Sequence, residues 1–175
     1  MASKPELVRA AEDVLKQGLD LFALLDAQKY ALIARDPFRA SIGGHYRHVI
    51  EHFQCLIDGV ATDSVNYDAR KRDARIENEL QIADKATQDV LSQLGRWDTQ
   101  ILARRCSTIN SIAYHSQDAS IIDSNFAREL AYCIGHAIHH YAIIRLICSE
   151  VGVLAPAEFG YAPSTIRHQS SLAAD

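Results

Sequence analysis

Over residues 5–34, apolar side chains such as Leu7, Ala11, Val14, Leu21, Leu25 and Leu32 recur mostly at spacings of three, four and seven. One long amphipathic helix accounts for that rhythm, with Pro5 near its first turn. Asp36-Pro37 stops it, because a residue before proline is pushed out of the helical conformation. A second helix is predicted over residues 40–58, where Ile42, Val49, Phe53 and Leu56 share one side and Arg47, Glu51, Gln54 and Asp58 the other, with Gly59 as its end. Residues 61–78 are polar, lack a hydrophobic period and read as a long exposed connection. A third helix over residues 79–94 carries Leu80, Ala83, Ala86, Val90 and Leu94 on its apolar face and closes at Gly95.

The pattern changes after that. Residues 101–105 and 112–115 read as two short strands around a turn at 108–111, a hairpin that needs the helices beneath it for stability. Asp123-Ser124 offers a cap for a last helix over residues 126–151, ending at Gly152. Ala137, Ile138, Tyr141, Ile144 and Cys148 lie on one side of it and Ile134 and Ala142 elsewhere, so it is apolar nearly all round. Such a helix is either central or half of a homodimer interface. The tail is expected to be ordered to about His168 and frayed beyond.

With 175 residues, 48% of them hydrophobic and 23% charged, the chain fits one domain spanning residues 1–175 and not a disordered segment. A net charge of -4 argues against a nucleic-acid partner, which would call for a basic face. The basic run Arg70, Lys71, Arg72 and Arg75 is interleaved with Asp68, Asp73 and Glu77 and reads as a solvated loop. No stretch approaches the roughly 20 apolar residues of a membrane span, and residues 1–7 lack a basic-then-apolar export signal, so the cytoplasm is the expected compartment. Cys55, Cys106, Cys133 and Cys148 show no CxxC spacing and are expected as buried free thiols.

Six of the eight histidines fall in two windows: His45, His48 and His52 on the second helix, His136, His139 and His140 on the last. Residues three or four apart on a helix are neighbours, so each trio forms a stripe. His136 and His140 differ by only about 40° around the helix axis and share their arc with Cys133 and Ile143. The other trio spans about 60° at the border between the apolar and charged faces, a position that lines a cleft. Two helices presenting imidazoles in this way can give three nitrogens to one divalent ion and leave a fourth position for water. Spacing does not choose between His48 and His52. A diiron site of HxxxE type is excluded, since none of the six is followed by Glu at that distance.

The runs Arg47-His48-Val49-Ile50-Glu51-His52 and Gly135-His136-Ala137-Ile138-His139-His140 resemble the metal-binding windows of the DinB superfamily, which includes the YfiT-like proteins. The resemblance implies an all-α, four-helix up-down-down-up bundle with a short β-hairpin before the last helix. It implies His48, His136 and His140 as the metal ligands. Where many relatives continue the final window with Arg-Gly-Gln, this chain has Tyr141-Ala142-Ile143, which removes that arginine. The function implied is a metal-dependent enzyme, holding zinc or nickel, that acts on a small molecule such as a thiol as an S-transferase, isomerase or hydrolase. No general base is assigned, although Glu51, Asp58 and Tyr141 are candidates. The alternative is a non-catalytic bundle whose last helix mediates homodimerisation, with structural metal or none.

Overall fold

The computed structural model describes residues 3–35, 39–115 and 118–172. Helix α1 (Glu6–Phe22) starts directly after Pro5, whose carbonyl receives the Val8 and Arg9 N–H groups. The single helix expected through residue 34 is corrected at Asp26. Its carboxylate accepts the Lys29 N–H at 2.7 Å and caps a separate short helix, α2 (Ala27–Ala31). A capping aspartate offers the backbone an alternative to continued helix, and spacing of apolar residues does not register it. The stop assigned to Asp36-Pro37 lies outside the described residues.

Helix α3 (Ile42–Gly59) is capped by Ser41, whose Oγ accepts the Gly44 N–H at 2.9 Å. The exposed connection expected next is also corrected. It contains strand β1 (Ser64–Asn66) and helix α4 (Ala74–Asn78), and buries Val65, Tyr67 and Ile76. This segment is held by polar bonds and not by an apolar period: Glu51, 2% exposed, accepts the Asp73 N–H at 2.8 Å, and the Tyr30 hydroxyl donates to the Ile76 carbonyl at 2.7 Å. Gly43 lets α4 lie against α3. A Cβ there would sit 1.9 Å from the Glu77 carbonyl oxygen.

Helix α5 (Leu80–Leu94) leads to a short helix, α6 (Thr99–Ala103), whose first N–H groups are taken by Asp98. The hairpin is displaced from its expected register, because that cap makes 99–103 helical. Strand β2 (Arg105–Asn110) pairs antiparallel with β3 (Ser120–Asn125) and parallel with β1, in the order β1-β2-β3. Asp123 and Ser124 belong to β3, and the cap of α7 (Phe126–Glu150) is Asn125, which accepts the Arg128 N–H at 2.9 Å. Helix α8 (Pro163–Leu172) carries the chain past His168 without burying a side chain.

Helices α1 and α3 each pack against both α5 and α7, and Leu15, Tyr46, Phe53, Tyr141 and Ile144 fill the space between them. The expected all-α, up-down-down-up bundle is nevertheless corrected. A mixed three-stranded sheet, with a parallel pair that a hairpin cannot supply, is part of the fold. The apolar surplus of α7 is covered in part by the chain itself: Phe159 stacks on Tyr141 with ring centres 4.7 Å apart, and Arg145 donates to the carbonyls of Pro156, Ala157 and Phe159. Among the described residues no helix is long and apolar enough to cross a membrane.

Candidate metal centre

The packing of α3 against α7 decides where the histidines meet. His48 on α3 faces His136 and His140 on α7, and the three rings lie 4.5–4.9 Å apart between centres. One nitrogen from each falls within 4.8 Å of the others, a set found among the described residues. An ion with bonds of about 2.0–2.1 Å would hold its nitrogens roughly 3.4 Å apart in tetrahedral geometry, so modest ring rotations close the set. The Nε2 of His136 is buried and, among the described residues, has no hydrogen-bond partner. An orphaned buried polar atom costs about 1–3 kcal/mol, and a coordination bond would remove that cost.

Electrostatics favour the ligating form. Burial, followed by repulsion from neighbouring imidazoles, pushes the pKa of His48 down to about 2, of His140 to about 3 and of His136 to about 4. All three are therefore neutral near pH 7, with lone pairs available.

The other histidines of the two windows take supporting places. His52, 3% exposed, places Nδ1 2.7 Å from the His48 carbonyl and stacks on Tyr67 with ring centres 5.3 Å apart. It therefore braces the turn that carries His48, and it stands outside the convergent set. His45 Nδ1 lies 2.9 Å from His140 Nδ1. With the shared proton on His140, that contact leaves His140 Nε2 free for a metal, the arrangement typical of metal-bound histidines. His139, His115 and His168 are exposed.

None of the three candidate bases reaches the centre. Glu51 is engaged by the Asp73 N–H and lies 3.9 Å from Arg70, Asp58 pairs with Lys71 at the surface, and Tyr141 is fully buried in the core. Two clefts flank the histidines instead. One, of about 520 Å³, is lined by His48, His52, His136, Tyr67, Tyr132 and Arg128; the other, of about 430 Å³, by His45, His48 and His140. Glu129, 6% exposed, accepts hydroxyl bonds from Tyr67 and Ser124 under the first cleft. Tyr132 and Arg128 were within reach of the sequence, since Arg128, Tyr132, His136 and His140 follow at intervals of four on α7. Tyr67 was not, because it arrives through β1.

No family model matches the chain. Comparison with curated proteins finds FK506-binding protein 5 of Rhizopus delemar, 37% identical over 110 residues, which cover 59% of this chain and 27% of that protein. The chain thus matches about a quarter of its relative's length. The resemblance to the DinB superfamily is corrected by this finding, since the matching relative carries an FK506-binding name. The thiol S-transferase, isomerase and hydrolase activities implied by that resemblance fall with it. The alternative of a homodimerising, non-catalytic bundle gains no support from the relative either.

Proposed function

We propose that this chain is a metal-binding domain. His48, His136 and His140 hold one divalent transition ion, zinc or nickel, and a fourth position stays open toward the clefts. The observation that carries this reading is the buried, partnerless Nε2 of His136 within a set of three rings converging from two helices. When bound, such an ion supplies a Lewis-acidic centre with one exchangeable ligand. The chain's own residues do the rest: His45 orients His140, His52 braces the His48 turn, and Tyr67 and Tyr132 wall the approach. Four unpaired thiols suit a reducing compartment, and the cytoplasm is part of the proposal.

Elemental analysis of protein purified without a histidine tag tests it. Close to one equivalent of transition metal per chain is expected, and His136→Ala should lose most of it. Folded protein that carries no metal, and takes none up from added zinc, would contradict the reading.

The relative's name favours a second reading, in which the aromatic-walled cleft of about 520 Å³ takes FK506 itself. Titration of the isolated chain with FK506, followed by heat or tyrosine fluorescence, separates the two. Saturable binding that His136→Ala leaves unchanged would favour the macrolide over the metal.

A further inference from the structure

The larger cleft runs along the N-terminal half of α7, away from the histidine trio. Tyr132 stands one turn from His136, with ring centres 5.6 Å apart and planes inclined by 26°, and Tyr67 joins it at 5.2 Å. Arg128 stands one turn further. Among the described residues its guanidinium has no acceptor, and its charge is felt by the Tyr132 phenol.

The other charged side chains of the cleft each have a partner. Asp68 accepts the Ser111 N–H at 2.6 Å, Asp123 lies 3.8 Å from Arg105, and Glu129 accepts two hydroxyl bonds. Arg70 donates to the Tyr67 carbonyl at 2.6 Å and faces Glu51. Arg128 therefore keeps its donors for a ligand at one end of the cleft, and on the proposed function a metal ion stands at the other. Eight helical residues separate Arg128 from His136, about 12 Å along the axis. That is the reach of an extended chain of three or four peptide units.

We infer that the cleft binds an elongated small molecule with a metal-coordinating group at one end and a carboxylate at the other. The carboxylate meets the planar fork of Arg128, which suits bidentate pairing, and the middle of the ligand lies over Tyr132 and Tyr67. The inference rests on the metal reading, and its test keeps the two apart.

The test uses zinc-loaded protein titrated by calorimetry with aliphatic hydroxamates of increasing length, each ending either in a carboxylate or in a primary amide. Zinc uptake is measured first on the same samples. At the length that spans the cleft, the carboxylate compound should bind about tenfold tighter than its amide, the worth of one good charge-assisted contact. R128Q, at an exposed position, should erase that advantage while leaving acetohydroxamate affinity unchanged. Equal binding of acid and amide at every length, or an advantage that survives R128Q, overturns the inference and leaves the metal centre standing. Failure of zinc uptake overturns both.

Discussion

An imidazole crowded by other imidazoles and shielded from water surrenders its proton easily, and this fixes the pH behaviour of the metal-free chain. In the unfolded chain these histidines titrate near 6.5, whereas in the fold His52 and His136 do so at about 4, His140 at about 3 and His48 at about 2. Between 6.5 and those values the unfolded state binds more protons than the folded one, so stability is present above pH 6.5 and is lost as pH falls below it. The urea midpoint of chelator-treated protein should drop steadily from pH 7 to pH 5, and less so in His48→Ala. A flat profile would mean that the rings are more solvated than they are here. The His45 contact makes a second residue-scale prediction. His45→Leu removes the acceptor for His140 Nδ1 and should weaken zinc affinity about 10–100-fold in competition with a chelator. His45→Asn, whose amide oxygen can take the same place, should recover most of it. Equal losses in both would assign His45 to packing alone.

At the scale of elements, the site depends on α3 being held from both sides, by α7 and by α4. Gly43 is the point of closest approach to α4, and the neighbouring atom is a backbone carbonyl that cannot swing away. Gly43→Ala should cost about 2 kcal/mol or more, with a fall of about 4–8 °C in thermal midpoint by calorimetry. A neutral result would show that α4 is not seated against α3. The same elements show what could be read in the chain beforehand. The helices that carry the histidines announce themselves, because α3 and α7 bury one face and keep regular spacing around Val49, Phe53, Ala137 and Tyr141. From that spacing the two stripes followed, but not the choice of His48 over His52, which rested on the resemblance alone. The sheet and α4 are built differently. Val65 enters through a parallel pairing with Thr108, forty-three positions away, and α4 is fixed by Glu51 accepting a backbone N–H from Asp73. Neither leaves a periodic trace. The break at Asp26 and the start of α6 at Asp98 turn on single capping carboxylates inside patterns that otherwise continue. Tyr67, which walls the cleft, could not be assigned to the site before β1 was known.

For the whole molecule, the proposed metal centre lies at the contact of α3 with α7, between two clefts, so an ion there would tie together segments nearly ninety residues apart and remain open to small ligands. The sheet and its hairpin close one cleft, and Arg39, Ser41 and Glu77 help to form the other. On the proposed function, the coordination shell at that contact is the decisive quantity. X-ray absorption at the zinc edge of the loaded protein measures it directly. Three imidazole nitrogens at about 2.0–2.1 Å and one further oxygen or nitrogen from solvent are expected. A sulfur neighbour, or fewer than three imidazoles, would contradict the assignment of His48, His136 and His140.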